Sequence, residues 1–289
     1  MILDGKKLRD ELLIEYKKII SKENLKIKLA IIKVGNNEAS NIYVKNKEKY
    51  CNMVGITSDI YELSSNTNEK EIIKLINKLN KDELVTGIIL QSPIPSNLNY
   101  DLCSEKILSS KDVDGFTKEN IYNLYLGHKT ILPATVKGII KLLKSYNIDL
   151  DGKNVVIIGR GNIVGKPLAL ALTNENATVS LLHSHTTDLK KYTKQADIVI
   201  GASGVANIIT SDMVKDNSIV IDVGVTRING KIKGDVDFDN VSKKAEYITP
   251  NPGGVGPMTI AMIIDNLIEL KRGEVNGKNI IRKLAKRKA

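Results

Sequence analysis

Apolar residues recur at helical spacing over residues 8–20 (Leu-Arg-Asp-Glu-Leu-Leu-Ile-Glu-Tyr-Lys-Lys-Ile-Ile), which predicts an amphipathic helix. Residues 27–34 then alternate (Ile-Lys-Leu-Ala-Ile-Ile-Lys-Val), which predicts a strand. A helical stretch follows over 38–53 and ends at Gly55. Residues 56–63 read as a second strand, 69–79 as a helix, and 84–91 (Leu-Val-Thr-Gly-Ile-Ile-Leu-Gln) as a buried strand. Strands alternating with helices imply a parallel sheet flanked by helices. The second half restarts the pattern. Thr135 is read as the N-cap of a connecting helix that reaches about Tyr146. Strands are expected at 154–159, 177–182, 197–200 and 218–223, with a helix over 164–172 and a last apolar helix over 257–272. The fold class is therefore α/β, two α/β domains around a cleft, the second a Rossmann-type nucleotide-binding domain. The expected domains are 1–135 and 136–256, with a C-terminal helix of about 257–289 packing back on the first.

Composition leaves this picture intact. The chain has 289 residues, 42% hydrophobic and 26% charged, close to globular averages. With no Trp and two Phe, its core is built from Ile, Leu and Val. No apolar run approaches the length that spans a bilayer, and the N-terminus lacks the pattern of a signal peptide. Cys51 and Cys103 are too few for a disulfide framework and lack metal-ligand spacing, so a cytoplasmic protein with reduced thiols is expected. The formal charge of +10 is uneven. Residues 271–289 hold eight basic side chains against Glu274, a net +7, which leaves +3 for the other 270 residues. A nucleic-acid partner relying on that tail predicts binding that falls steeply with salt, and the body's modest charge gives it no support. The tail is expected to pack partly through Ile280, Ile281 and Leu284.

Chemistry enters with Gly159-Arg160-Gly161-Asn162-Ile163-Val164-Gly165-Lys166-Pro167, which follows a strand and opens a helix. Gly159 and Gly161 permit a tight turn close to a phosphate, and the helix start offers amides and partial positive charge to an anion. The spacing is one residue longer than the usual dinucleotide fingerprint. NAD-specific folds usually end the next strand with an acid. Here Leu182 is followed by His183-Ser184-His185-Thr186, and Arg160 on the neighbouring loop could meet a 2′-phosphate, so NADP is favoured. His183 and His185 have no third partner nearby, and no metal is expected. His128 stands alone and reads as a loop histidine.

In Ser40-Asn41-Ile42-Tyr43-Val44-Lys45-Asn46-Lys47, Tyr43 and Lys47 share a helix face. A partly buried lysine can shuttle protons. Lys45 and Lys49 nearby make a solvated basic face the first local reading. Gln91 ends a strand at the edge where open α/β sheets bind ligands, but a polar strand cap fits equally. Asp112 and Asp114 lie in a turn, where Asp is favoured on conformational grounds alone.

Six segments taken in order change the balance. They are V-G-x-x-x-x-S-x-x-Y-V-x-x-K at 34–47, G-I-I-L-Q-S-P-I-P at 87–95, K-D-V-D-G-F at 111–116, G-R-G-N-I-V-G-K-P at 159–167, A-D-I-V-I-G-A-S-G at 196–204 and P-G-G-V-G-P-M-T at 252–259. Over roughly residues 1–272 the chain resembles the bifunctional methylenetetrahydrofolate dehydrogenase/methenyltetrahydrofolate cyclohydrolase family. The resemblance implies NADP-dependent oxidation of methylenetetrahydrofolate, then hydrolysis of the methenyl product to formyltetrahydrofolate at the same site. It implies that Lys47 assists proton transfers, Tyr43 positions it near the folate, Gln91 sets its protonation state and Asp114 binds the pterin. By the same resemblance Gly159, Arg160, Gly161, Ile163, Val164, Gly165, Ser184 and Thr259 hold the cofactor. Pro252, Gly253, Gly256 and Pro257 line the folate side. The implied partners are tetrahydrofolate one-carbon derivatives and a second copy of the chain, in a homodimer formed through the nucleotide domain. The implied setting is the one-carbon metabolism that serves purine, methionine and histidine biosynthesis. A narrower alternative is an NADP-dependent dehydrogenase with weakened cyclohydrolase activity. The joint presence of Tyr43, Lys47, Gln91 and Asp114 argues against it. Three departures stand out: Ser92 where the family usually has Leu, Pro133-Ala134-Thr135-Val136 where it has P-C-T-P, and Gly161 where it has Ser.

Overall fold

The computed structural model describes residues 1–228 and 231–274. The chain divides into two compact units. One comprises residues 11–134 and the segment from 260 onward, the other residues 1–10 and 135–259. This differs from a cut at 135/136 in assigning the first ten residues to the nucleotide-type unit.

The chain opens with α1 (Gly5–Lys22), whose C-terminal two thirds begin the first unit. There follow β1 (Lys28–Val34), α2 (Glu38–Val54), β2 (Thr57–Leu63), α3 (Glu69–Lys81), β3 (Gly87–Leu90), the short α4 (Tyr100–Ser104), a 3-10 turn at Ser109–Lys111, and α5 (Lys118–Tyr125). The strands form a parallel sheet in the order β2-β1-β3. Local sequence explains the helices. Asn37 caps α2 by accepting from the Ser40 N–H at 3.1 Å, and Gly55 ends it in the left-handed region at φ 91°. Asn68 and Glu71 close a capping box at the start of α3. That helix then buries Ile72, Ile76 and Leu79 on one stripe against Ala30, Ile32, Ile88 and Leu90 of the sheet. Each side chain so buried contributes roughly 1.5–3 kcal/mol. Cys51 and Cys103 are both free and buried, and burial pushes the Cys51 thiol up to about 12.

The second unit holds most of α6 (Ala134–Ser145), then β4 (Asn154–Ile158), α7 (Gly165–Asn174), β5 (Thr178–Leu182), the short α8 (Leu189–Thr193), β6 (Ile198–Gly201) and β7 (Ile219–Asp222). A two-stranded hairpin, β8 (Thr226–Ile228) and β9 (Lys231–Lys233), is followed by α9 (Phe238–Val241) and β10 (Tyr247–Ile248). Its main sheet is parallel, in the order β10-β7-β6-β4-β5. Val156, Ile158, Val199 and Val220 are buried in its core. The final α10 (Val255–Arg272) starts in this unit and runs into the first. Pro257 stands in its first turn, where no backbone N–H is required.

Two expectations need correction. The strand expected at 84–91 is shorter, Gly87–Leu90, with the Thr86 and Gln91 N–H groups still donating to Lys28 and Ile32 of β1. Residues 84–85 stay out because the Val85 N–H turns back onto the Asp82 carbonyl and Leu84 is 69% exposed. Thr135 is not an N-cap. Helix α6 already begins at Ala134, and the Thr135 hydroxyl meets the Thr259 hydroxyl at 3.1 Å instead. The other expected elements match to within a few residues at their ends, while α1, which starts at Gly5, begins three residues early. The short elements α4, α5, α8, α9, β8, β9 and β10 lie where the sequence pattern predicts no element. Ile280, Ile281 and Leu284, with the helix expected beyond 272, fall outside the described residues apart from Gly273 and Glu274.

Candidate active site

In the first unit, β1 and α2 are joined by the turn that Asn37 caps, and α2 carries Tyr43 and Lys47 one turn apart. Tyr43 is 52% exposed and Lys47 is half-buried. Gln91 leaves the end of β3 and is 7% exposed. The Lys47 Nζ donates to Gln91 Oε1 at 2.9 Å, and Gln91 Nε2 donates to the Ser92 carbonyl at 2.6 Å. The second bond fixes which way the amide faces, so its oxygen is the atom presented to the ammonium. Sequence spacing could not pair these residues, which lie 44 positions apart.

Asp114 is half-buried in the turn between the 3-10 segment and α5. Burial pushes its carboxyl above the usual carboxylate range. The Lys47 ammonium pulls it back down and Asp112 adds to the rise. The structure thus places Lys47, Gln91 and Asp114 in one neighbourhood. Tyr100, not anticipated, shares a small cavity with Asp112, Asp114, Phe116, Ile88 and Leu90. Its hydroxyl donates to the Leu90 carbonyl at 3.2 Å, and burial, then Asp114, raise its pKa. Only its aromatic type beside N-cap Asn99 marked it in the sequence.

In the second unit, residues 159–165 form the turn from β4 into α7. Gly159 has φ 118°, and a Cβ there would lie 2.2 Å from the Ala202 carbonyl oxygen. A Cβ on Gly165 would lie 2.0 Å from the Gly159 oxygen, whereas one on Gly161 would meet nothing within 4 Å. Two of the three glycines are therefore required by backbone packing, and the third leaves open space. Arg160, Gly161 and Ile163 are exposed and Val164 is half-buried. Beyond the adjacent strand β5, Ser184 is exposed, and the His183 imidazole is held below its usual value by burial and then by Arg160. His183 Nδ1 accepts from the His185 backbone N–H at 3.2 Å.

The loops after β6 and β7 are tied by two buried acids that spacing did not reveal. Asp235 Oδ2 accepts from the Ser203 N–H, the Ser203 hydroxyl and the Gly204 N–H. Asp222 accepts from the N–H groups of Gly224, Asp235 and Val236. The loop after β10 carries Pro252, exposed, and Gly253 at φ 115°. Gly256, Pro257 and Thr259 follow in the first turns of α10. These five belong to the second unit, and Lys47, Gln91 and Asp114 to the first.

A five-stranded parallel sheet, a glycine turn that excludes side chains at a helix start, and a guanidinium beside a strand end without an acid fit a dinucleotide carrying an extra phosphate. Together with the lysine–glutamine pair, they define an NADP-dependent enzyme of the α/β class. Residues 3–114 match the model for the tetrahydrofolate dehydrogenase/cyclohydrolase catalytic domain, and residues 133–275 that for the NAD(P)-binding domain of the same family. The chain is 50% identical over 281 residues to the bifunctional protein FolD of Campylobacter jejuni (strain 81-176), covering 95% of this chain and 99% of that protein. The crystal structure of the C. jejuni bifunctional methylenetetrahydrofolate dehydrogenase/cyclohydrolase superposes with a TM-score of 0.92 at 49% identity, covering 95% and 99% of the two chains. The Trypanosoma brucei enzyme, solved with NADP cofactor and inhibitor, superposes with a TM-score of 0.90 at 30% identity, covering 96% and 99%. The chain belongs to the tetrahydrofolate dehydrogenase/cyclohydrolase family.

Proposed function

We infer that this chain oxidises methylenetetrahydrofolate to methenyltetrahydrofolate with NADP+ and then hydrolyses the methenyl cation to formyltetrahydrofolate. The observation that carries the reading is the Lys47–Gln91 pair, with Asp114 electrostatically coupled to Lys47. NADP, when bound, supplies the hydride acceptor. Hydride loss from the one-carbon bridge moves no proton, so positioning is the main demand on the protein. Hydrolysis differs: water adds to the cation, a proton leaves, and a ring nitrogen must gain one as the ring opens. The Lys47 Nζ is a proton carrier for that exchange, and Gln91 Oε1 holds it in place. The Asp114 carboxylate is a suitable acceptor for the amino and ring N–H groups of a pterin. Tyr43, one helical turn from Lys47 and exposed, is available to pack against the folate.

For the cofactor, the open space at Gly161 and the backbone of Gly159, Ile163, Val164 and Gly165 suit a phosphate, and Arg160 with Ser184 suits the 2′-phosphate. Thr259 completes the proposed cofactor contacts, and Pro252, Gly253, Gly256 and Pro257 the folate-side loop. Domain limits near 135 and 256 follow the same reading. A cytoplasmic homodimer through the nucleotide unit is proposed on the family resemblance, and the exposed apolar Val225, Ile228 and Ile232 at the hairpin support it. Light scattering would read a mass of two chains. The decisive assay supplies methylenetetrahydrofolate with NADP+ or NAD+ and follows methenyl formation and decay. Faster turnover with NADP+ and decay of methenyl to formyltetrahydrofolate are expected. Methenyl that decays no faster than without enzyme would remove the second activity.

A further inference from the structure

The Asp114 carboxylate is aimed by the backbone of its turn, and that backbone is pinned from two directions. From within the turn, the buried Asp112 carboxylate accepts three bonds. Its Oδ1 takes the Gly115 N–H at 2.9 Å, and its Oδ2 takes the Thr117 N–H at 2.7 Å and Asn120 Nδ2 at 2.9 Å. Asn120 is itself fixed, because its Oδ1 accepts from the Thr130 hydroxyl at 2.8 Å. From α10, the fully buried Asn266 donates through Nδ2 to the Val113 carbonyl at 2.8 Å and the Leu132 carbonyl at 3.0 Å. The Val113 carbonyl belongs to the peptide group that leads into Asp114, so the first of these bonds sets the plane from which the side chain extends. The second holds the segment that backs the turn. Gly115 there has φ 73°, and a Cβ on it would lie 2.7 Å from the Ile131 oxygen and the Leu132 carbonyl carbon.

We propose that Asp112 and Asn266 are positioning residues for Asp114, a clamp that fixes the carboxylate where it meets the pterin. This rests on the reading that Asp114 binds folate. Both act through the turn, and every hydrogen bond named for them ends on protein atoms. A fully buried amide needs partners, and here both acceptors lie on the segments of chain that frame one carboxylate.

The test is a double-mutant cycle read by calorimetric binding of tetrahydrofolate, with NADP+ binding as the internal control. Asn266→Ala is expected to weaken tetrahydrofolate about tenfold, the loss of a well-placed hydrogen bond to a charged group. Its NADP+ affinity should match that of the parent chain. In an Asp114→Asn background the same substitution should change tetrahydrofolate binding by less than about twofold, because the group it positions is gone. Asp112→Asn, which cannot accept all three donors, should behave likewise. Equal losses in both backgrounds, or no loss in the first, overturn the clamp. If Asn266→Ala fails to fold, Asn266→Ser, which keeps one donor, replaces it in the same cycle with the same criteria. Asp114→Asn alone tests the underlying reading. Full tetrahydrofolate affinity in that variant overturns the role of Asp114 and the clamp with it. A loss there with none in Asn266→Ala overturns the clamp only.

Discussion

Replacing Lys47 with Met separates catalysis from folding, because methionine keeps most of the stem and removes the ammonium. The substitution leaves Gln91 Oε1, on a residue only 7% exposed, without its 2.9 Å donor. An unpaired buried acceptor costs about 1–3 kcal/mol. Relief from burying part of an ammonium offsets some of that cost. Against a typical folding stability of about 5–15 kcal/mol, the variant remains folded. Loss of a positioned proton carrier, by contrast, lowers a rate by about 10²–10⁴-fold, or roughly 2.7–5.4 kcal/mol of transition-state stabilisation. Because the variant stays folded, a rate loss of that size reports the missing proton carrier. Conversion of methenyltetrahydrofolate to formyltetrahydrofolate, followed by its absorbance decay at saturating substrate, should fall by that factor while NADP+ binds as before. A companion readout comes from Asp114, which Lys47 holds down. Without Lys47 its carboxyl rises further, so less of it is ionised at a given pH and the acid limb of tetrahydrofolate binding moves to higher pH. Formyltetrahydrofolate production at the parent rate would refute the role given to Lys47.

Four further outcomes follow from the same geometry. Arg160→Ala should weaken NADP+ more than NAD+ in parallel fluorescence titrations; equal losses would exclude a 2′-phosphate contact. Gly159→Ala forces a Cβ to 2.2 Å from the Ala202 oxygen at a φ that disfavours side chains, so it should lower Tm and abolish NADP+ binding. Gly161→Ser enters open space, so it should leave Tm within a degree or two and tighten NADP+ by adding a donor; a large drop in Tm would contradict the turn as described. Asp114→Asn should stabilise the fold at neutral pH, because burial raises the native carboxyl and ionising it opposes folding. The folded state holds its proton more tightly than the unfolded one, so stability falls as pH rises from the unfolded to the raised folded pKa. The gain from Asn should therefore vanish in denaturant titrations at acid pH and level off above the folded pKa. A gain independent of pH would rule out this cause.

How much was legible depended on whether the signal was local. Helix α3 could be read outright, since Asn68 and Glu71 cap it and Ile72, Ile76 and Leu79 repeat at its period. The glycine turn was equally plain, although only the structure separates Gly159 and Gly165, which packing requires, from Gly161, which it does not. Thr135 looked like a cap because a Thr before an apolar run usually is one. Its hydroxyl is used by Thr259, a partner 124 residues away that no local rule supplies. Lys47 and Gln91 posed the same difficulty. Each had a bland local reading, and only the ordered set of motifs joined them. Asn266 is the sharpest case. Helix α10 reads as a largely apolar stretch whose second half also carries Asp265, Asn266 and Glu269, so nothing local singles out the amide. The structure buries it fully, and a buried Nδ2 must be paired. Sequence could say neither that Asn266 would be buried nor that its acceptors would be Val113 and Leu132, since chain closure brings them together across 153 and 134 residues. A buried amide on a helix is thus a reason to look for the backbone it holds, and in this fold that backbone carries the acid proposed to bind the substrate.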